Sequence, residues 1–347
     1  MKKKYSRVGL PEKFLERLPA IVDEAHLSDV IVSFAHKKPT TFRANILKIS
    51  APDLKNELEK LGFVLRRVDW YLDAFILVSP TQKELMLTRW YLEGFLYIQS
   101  LSSMIPALIL NPKPDDLVCD LTAAPGSKTT QMAAIMQSKG KIVANDKSNI
   151  RLLKLKANLR LQGVTNVEVT QQIGQIFWRQ YPEQFDKTLV DVPCSMEGRF
   201  YTEDPKTFRD WTMNKIRYLE EVQRFLLRSA VSATKPGGAI VYSTCTLAPE
   251  ENEGVIDWIL KKEGRKVVVE SINLEKVAVS PGFTQWGQKQ YCEDIVQTGR
   301  ILPSNVFEGF YIAKLRKLQS TVYNPELKQV SIKKTRPQSQ GENLTQD

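Results

Sequence analysis

The sequence is poor in histidine and cysteine, and both shortages exclude kinds of chemistry. Its two histidines, His26 and His36, lie near the N-terminus, so we expect no Ser-His-Asp triad in the rest of the chain. The four cysteines, at positions 119, 194, 245 and 292, show no C-x-x-C spacing. This pattern indicates neither a zinc site nor a disulfide framework, and we expect no metal. Acid, base and nucleophile roles then fall to carboxylates, lysines and thiols.

The sequence also lacks long hydrophobic runs. The most apolar stretch, from Met104 to Leu110, contains Pro106 and is too short to cross a bilayer. The first seven residues are basic and have no apolar segment of the kind that a secretion signal needs. We therefore expect a cytoplasmic protein with no membrane partner.

Acidic residues are fewer than basic ones. Lysine and arginine number 49 and aspartate and glutamate 39, which gives a formal net charge of +10 at pH 7. Such an excess attracts polyanions, and nucleic acid is the commonest polyanion that a cytoplasmic enzyme meets. A protein that is basic for another reason has the same charge, so the motifs must decide.

A chain of 347 residues is long enough for two domains and a tail. Residues 1–100 have the pattern of a small α+β domain, with a helix from Leu10 to Leu18 and strands that include Thr41–Leu47 and Ala74–Val78. A small β-α-β sheet of this kind is a common RNA-binding platform.

Residues 101–318 alternate between strand and helix patterns, which predicts an α/β fold with a parallel, doubly wound sheet. The predicted strands are Leu117–Leu121, Lys141–Asn145, Val167–Thr170, Lys187–Asp191, Ala239–Ser243, Val267–Glu270 and Phe307–Leu315. Residues 319–347 are polar with few aliphatic side chains, and we expect a disordered tail.

A loop of small residues, Asp120–Thr129, joins the first of these strands to a helix. It lacks the glycines of a P-loop and of a G-x-G-x-x-G turn, so cofactors with a diphosphate are disfavoured. Asp146 follows the next strand, where a doubly wound sheet places the carboxylate that binds ribose hydroxyls. This combination fits S-adenosylmethionine. Asp146 could instead cap the following helix, a role that Ser148 could also fill.

Two cysteines follow apolar runs at what the pattern predicts to be the carboxyl ends of neighbouring strands. They are Cys194, in Asp191–Ser195, and Cys245, in Tyr242–Thr246. Open α/β sheets bind their ligands at that edge, and a thiolate is a strong nucleophile near neutral pH. Both could equally be small buried hydrophobic residues.

With these segments in place, the chain resembles the Sun (Fmu) family of RNA cytosine-C5 methyltransferases. The matching stretches occur in the family's order over residues 40–317. They are Phe42–Lys48, Gly94–Gln99, Asp120–Thr129, Asp191–Ser195, Tyr242–Thr246, Pro249–Glu253 and Glu308–Tyr311.

The resemblance implies a Rossmann-like methyltransferase sheet of seven strands, preceded by a small RNA-binding domain. It implies that Cys245 is the nucleophile, that Cys194 releases the product and that Asp191 faces the cytosine. It makes Arg43 and Asn45 candidates for RNA contact. The implied S-adenosylmethionine-binding residues are Ala123, Ala124, Pro125, Gly126, Lys128, Asp146, Arg151, Asp191 and Pro193. The implied partner is ribosomal or transfer RNA, and we expect a monomer.

The implied chemistry explains these residue types. Carbon 5 of cytosine is a poor nucleophile, but addition of a thiolate at carbon 6, with a hydrogen bond at N3, makes it reactive. A second group must then assist elimination. The target base must be unstacked, which suits loops and single strands of RNA.

Two positions depart from the family pattern. Ile173 stands where relatives usually have an acid able to accept the adenine amino group, although Gln172 could substitute, and Ser304 stands where many have histidine. The first departure leaves open an alternative function, a catalytically weak RNA-binding assembly factor that retains the fold. A DNA cytosine methyltransferase and an amino-group methyltransferase fit the motifs less well.

Overall fold

The structure is a computed structural model that describes residues 9–322. The predicted tail from residue 323 onward lies outside the described residues. The elements before residue 100 are α1 (Glu12–Ile21), α2 (Glu24–Ser33), β1 (Thr41–Ala44), α3 (Ala51–Lys60), β2 (Val64–Arg67), β3 (Ala74–Ser79), α4 (Gln82–Leu87), α5 (Arg89–Leu92) and β4 (Leu96–Ile98).

The N-terminal strands form one small sheet in the order β2-β3-β1-β4, with antiparallel neighbours throughout. The strand predicted from Thr41 ends at Ala44 rather than Leu47, and β4 was not predicted. Phe42 and Phe75 stack across this sheet with their ring centroids 5.5 Å apart. Apolar side chains of the strands and of α3 enclose a separate small core.

Helices α1 and α2 pack away from this small sheet. The ring of Phe14 on α1 contacts Phe34, which follows α2, and also Phe200 and Trp211 from much later in the chain. These side chains are buried in one cluster. The first two helices therefore brace a loop of the second half of the chain.

The second half carries the main sheet and its helices. Its elements are α6 (Leu101–Leu110), β5 (Leu117–Asp120), α7 (Ser127–Ile135), β6 (Lys141–Asn145), α8 (Asn149–Gln162), β7 (Val167–Thr170), β8 (Phe185–Asp191), α9 (Met213–Ala233), β9 (Thr234–Thr244), α10 (Glu253–Glu263), β10 (Val267–Glu270), β11 (Ser280–Pro281), β12 (Gln285–Trp286), β13 (Lys289–Gln290), β14 (Gly299–Ile301) and β15 (Phe310–Lys317).

The main sheet has nine strands in the described part of the chain. Its order is β11-β14-β15-β9-β8-β5-β6-β7, and β10 also pairs with β15. The five strands from β9 to β7 are parallel to one another. Because β5 is followed by β6 on one side and by β8 on the other, the strand order reverses between β5 and β8, where such sheets bind ligands.

The prediction of a parallel sheet is confirmed from β9 to β7 but is wrong beyond β9, where the strands are antiparallel. Strand β15 is antiparallel to β9, and β10 and β14 are antiparallel to β15. Parallel pairing needs a crossover of a dozen or more residues, usually a helix. The described chain between β10 and β15 has only short strands and a single-turn helix at Glu293–Gln297, so the alternation that predicted parallel strands stops there.

Arg43 and Asn45 are buried between the small sheet and helices α7 and α8, so the expectation that they contact RNA is wrong. Their exposed fractions are 0% and 1%. Arg43 donates through Nε to Gln99 Oε1 at 3.0 Å and through Nη2 to Thr130 Oγ1 at 2.7 Å. Asn45 Nδ2 donates to the carbonyls of residues 94 and 162, both at 2.8 Å. The motif that contains them joins the small sheet to helices α7 and α8.

In residues 9–322, every helix is too short or too polar to pass through a bilayer. The division into domains at residues 1–100 and 101–318, followed by a tail at 319–347, stays a prediction.

Candidate active site

The predicted cofactor loop connects β5 to α7, and one glycine fixes its shape. Gly126 has a φ of +109°, and a Cβ there would lie 2.7 Å from Leu155 Cδ1 on α8. Both conditions favour glycine. Helix α8 also holds the loop from behind: Asn158 donates to the carbonyl of Pro125 at 2.8 Å, and Arg151 donates to that of Ala124.

Asp146 lies beside this loop with one oxygen left without a donor. Its Oδ1 accepts from the backbone N–H of Ser148 at 3.0 Å. Its Oδ2 lies 2.9 Å from Arg151 Nη1 as an ion pair, but it is buried and has no hydrogen-bond partner. The side chain of Ser148, not that of Asp146, caps α8. A buried carboxylate oxygen that lacks a donor fits the hydroxyl of a ribose.

Lys128, which is buried, and Asp191, which is partly exposed, form an ion pair between the loop and the end of β8. Lys128 Nζ donates to Asp191 Oδ2 at 2.7 Å and to Ser103 Oγ at 2.8 Å. Asp191 Oδ1 accepts from Ser243 Oγ at 2.7 Å. Both carboxylate oxygens therefore accept hydrogen bonds, which fixes the orientation of the side chain.

The two predicted cysteines meet at the ends of β8 and β9. Cys194 Sγ lies 3.3 Å from Cys245 Sγ. Cys194 is buried, whereas Cys245 is partly exposed. The hydrogen bond with Cys245, together with burial, raises the pKa of Cys194 well above its usual range. Cys194 is therefore a thiol at neutral pH, and its proton can be donated to the sulfur of Cys245.

Two buried glutamates support the cysteine loops, and no role was predicted for either of them. Glu251 Oε2 accepts from the N–H of Ser195 at 3.1 Å and from Gln223 Nε2 at 2.7 Å. Burial raises the pKa of Glu251 to about 8. Glu197 accepts from the indole of Trp211 at 2.9 Å, and burial raises its pKa too. Only the motif Pro249–Glu253 could have drawn attention to Glu251.

Asp120, at the start of the loop, is another buried carboxyl. It accepts from Thr129 Oγ1 at 2.7 Å. Burial raises its pKa to about 7, against the opposing effects of Thr129 and Lys128. It ties the loop to the first turn of α7.

Lys128, Asp191, Cys194 and Cys245 line a cavity of about 720 Å³, a size typical of small-molecule sites. Residues of the small sheet and of the segment before it line the opposite wall, including Lys37, Lys38 and Tyr97. Ala123, Gly126 and Asp146 do not line the cavity. The predicted site residues that do are Ala124, Pro125, Lys128, Arg151, Asp191, Pro193, Cys194 and Cys245.

The two departures from the family pattern lie outside this cavity. Ile173 follows β7 and is 56% exposed. The backbone N–H of Gln172 donates to Asn145 Oδ1 at 2.9 Å, and the Gln172 side chain donates to Gln180. Ser304 lines a different cavity, between α2 and residues 301–307, and its Oγ accepts from the N–H of Phe307 at 3.1 Å. Among residues 9–322, no cluster of three or more His, Cys, Asp or Glu side chains is arranged to hold a metal ion.

Comparison with known proteins follows the two halves of the chain. The model of a family described as 16S rRNA methyltransferase RsmB/F matches residues 107–316. The model of the N-terminal domain of 16S rRNA methyltransferase RsmF matches residues 10–101. The resemblance inferred from the motifs is therefore confirmed.

The chain covers different shares of the length of two curated relatives. Ribosomal RNA small subunit methyltransferase F of Aeromonas salmonicida is 38% identical over 332 residues, which cover 91% of this chain and 66% of that protein. The tRNA (cytosine(49)-C(5))-methyltransferase of Pyrococcus abyssi is 39% identical over 279 residues, covering 80% of this chain and 88% of that protein. The chain thus spans about two thirds of the length of the first curated relatives that it matches.

A solved structure described as a methyltransferase homolog protein from Pyrococcus horikoshii superposes with a TM-score of 0.80 at 34% identity. The match covers 91% of this chain and 98% of that one. The predicted fold class, a Rossmann-like methyltransferase sheet preceded by a small α+β unit, is confirmed.

Proposed function

The chain belongs to the RsmB/F family of 16S rRNA methyltransferases, and we propose that it methylates carbon 5 of a cytosine in RNA. The observation that carries this proposal is the contact of 3.3 Å between Cys194 Sγ and Cys245 Sγ, in a cavity shared with Asp191 and Lys128. A pair of thiols beside a carboxylate is the set of groups that covalent activation of cytosine requires.

The cofactor of this family is S-adenosylmethionine, which supplies an electrophilic methyl group when it is bound. The donor-free Oδ2 of Asp146 fits a ribose hydroxyl, and Arg151 keeps that carboxylate and the loop together. Asp191 and Pro193 border the position of the target base. The residues that we assign to the cofactor are Ala123, Ala124, Pro125, Gly126, Lys128, Asp146, Arg151, Asp191 and Pro193.

Cys245 attacks carbon 6 of the cytosine, because it is the more exposed of the two thiols. The new bond between sulfur and carbon 6 pushes the electron pair of the 5,6 double bond toward N3, where a proton or hydrogen bond must receive it. The carboxyl group of Asp191 donates that proton to N3, and Lys128 fixes its orientation, with Nζ 2.7 Å from Oδ2. Carbon 5 thereby becomes nucleophilic.

Cys194 acts in product release. The hydrogen bond to Cys245 is the first cause of the raised pKa of Cys194, and the charge of Cys245 adds to it. Both causes weaken once the sulfur of Cys245 is bonded to carbon 6, so Cys194 then loses its proton to solvent more readily and becomes a thiolate. Its thiolate takes the proton from carbon 5, and the electron pair expels Cys245 as a thiolate.

The wall of the cavity that the N-terminal residues form is suited to an RNA substrate. Lys37 and Lys38 line it from the N-terminal side, where they would face the phosphates of the RNA. An unstacked cytosine of ribosomal or transfer RNA can enter a cavity of about 720 Å³, whereas a stacked base hides its face. We propose that residues 1–100 bind RNA, and that the protein is a cytoplasmic monomer.

One observation favours a second function. Ile173 offers no acceptor to an adenine amino group, as would be expected of an RNA-binding assembly factor with weak catalysis. Bisulfite sequencing of cellular RNA, with and without the gene, separates the two functions: a methyltransferase leaves a cytosine unconverted only when it is present. No such cytosine, together with no binding of S-adenosylmethionine by calorimetry, would favour the assembly factor.

A further inference from the structure

A tight turn after β8 is clamped against the end of β9 and the start of β15. The N–H of Gly198 donates to the carbonyl of Cys245 at 3.0 Å, and the N–H of Gly309 donates to the carbonyl of Gly198 at 2.9 Å. A Cβ on Gly198 would lie 2.1 Å from the carbonyl oxygen of Gly309. Glycine at 198 is thus required for this close approach.

The clamp fixes the two charged residues that flank it. Arg199 follows Gly198, Glu308 precedes Gly309, and Arg199 Nε lies 3.1 Å from Glu308 Oε1. Glu308 Oε2 accepts from Ser100 Oγ at 3.0 Å. Both side chains line the cavity that contains the two thiols.

Other cations of this cavity are held by other groups. Lys128 donates to Asp191, Arg151 pairs with Asp146, and Lys38 donates to the carbonyl of Ser33 at 2.7 Å. Arg199 lines the same cavity as both thiols, and the residue before it, Gly198, donates to the carbonyl of Cys245. The pKa of Arg199 is raised first by Glu308 and then also by Cys245 and Cys194.

We propose that Arg199 is a positioning residue that stabilises the thiolate of Cys245, and that Glu308 limits how strongly it does so. A thiolate is favoured by a nearby cation, and a carboxylate paired with that cation weakens the effect. This inference deepens the proposed function and rests on it for its biological meaning. The charged and titratable groups around Cys245 are Cys194 after β8, the Lys128–Asp191 pair, the Arg199–Glu308 pair and the buried Glu251 behind Cys194.

The test is the pH dependence of alkylation of Cys245 in the full chain, without RNA or cofactor. Iodoacetamide reacts with thiolates, and peptide mass spectrometry separates Cys245 from the other three cysteines. Arg199→Gln should raise the pH midpoint of Cys245 alkylation by about one unit, the lower end of the effect of a close charge. Arg199→Lys should leave it near the wild-type value, and Glu308→Gln should lower it.

Arg209→Gln is the matched control, because Arg209 is an exposed arginine ten residues away that does not line the cavity. An unchanged midpoint in Arg199→Gln, or an equal shift in Arg209→Gln, overturns the proposal. If Arg199→Gln fails to fold, Glu308→Gln decides, and a midpoint that rises or stays constant refutes the role of the pair. Methylation that depends on Cys245 together with an unshifted midpoint would reject Arg199 alone and leave the proposed function intact.

Discussion

The two ends of the candidate site differ in how far the protein completes them. At the cysteine end, buried carboxyls and backbone groups hold both thiol loops, and Glu251 is 0% exposed. At the cofactor end, Asp146 Oδ2 has no hydrogen-bond donor and Ile173 is 56% exposed. The reacting groups are thus positioned in advance, whereas the cofactor end is left for a ligand to complete.

The sheet order explains this difference. Cys194 and Cys245 follow β8 and β9, which lie inside the main sheet and contact helices α6 and α9. Ile173 follows β7, the last strand of the sheet, where neighbours stand on one side only. Substitutions at the cysteine end should therefore abolish function or stability, and those at the cofactor end should adjust affinity.

The largest expected effects separate the two cysteines. Cys245→Ala should give neither methylation nor a covalent complex, because no bond to carbon 6 can form. In the Cys194→Ala variant, the bond between Cys245 and carbon 6 should form but should not be broken. With RNA and S-adenosylmethionine present, that variant should show a protein–RNA band on a denaturing gel.

Cys292→Ala is a useful control, since Cys292 does not line the cavity. A trapped complex in Cys245→Ala and none in Cys194→Ala would reverse the two roles. Full activity in both variants would reject covalent catalysis.

The next largest effect is expected at Asp191, which lies between the cysteine end and the cofactor end of the site. Asp191→Asn keeps the shape of the side chain but removes the charge that Lys128 pairs with and the group that we place at N3. We expect turnover to fall by roughly 100-fold or more. Single-turnover methylation at saturating cofactor measures it, with the exposed Asp210→Asn as the control for charge.

Near-normal turnover in Asp191→Asn would remove Asp191 from the mechanism. A raised KM for the cofactor with unchanged turnover would instead place its role at the cofactor end of the site.

Sequence patterns predicted the parallel strands well, because each is an apolar run bounded by turns. The predicted bounds Lys141–Asn145 and Val167–Thr170 are those of the parallel strands β6 and β7, and the predicted Val267–Glu270 is β10, which pairs antiparallel with β15. Strands β11 to β14 have two or three residues each, too few for any period to show. The strands were therefore predictable only where they are long.

The same limit applies to the site. Motifs pointed to Cys194, Cys245 and Asp191, but not to the buried bonds behind them. Glu251 meets Ser195 across 56 positions of sequence, and Arg43 meets Thr130 across 87. Pairings over such separations depend on the fold, and a motif alone did not reveal that Arg43 is buried.

The buried carboxyl of Glu251 should make stability depend on pH. Its pKa is about 8 in the folded state, against an ordinary value of 4.5. Between these values the folded state binds more protons than the unfolded state, so the free energy of unfolding should fall as pH rises from about 5 to about 8. Gln223 Oε1, a buried acceptor without a partner, suits a protonated neighbour.

Glu251→Gln should flatten this dependence, because the amide does not titrate. Urea unfolding at several pH values measures it, and Glu203→Gln, which removes an exposed carboxyl, should leave the slope unchanged. The slope should not vanish, since Asp120 has a pKa raised to about 7 and contributes with the same sign. An equal slope in wild type and Glu251→Gln would show that Glu251 is already ionised in the folded protein.

The smallest expected effect is at the cofactor end of the site, at Ile173. Ile173→Asp should restore an acceptor for an adenine amino group, and a hydrogen bond to a charged group contributes on the order of 1–3 kcal/mol. Because Ile173 is 56% exposed, solvent screening favours the lower limit, about a fivefold tighter binding of S-adenosylmethionine by calorimetry. Ile176→Asp adds the same charge to a side chain that is 44% exposed on the next turn, and it should leave affinity unchanged. Equal tightening in both variants would indicate a general charge effect. No tightening in either would mean that the adenine is held without an acid, so that the open end of the site is complete as it stands.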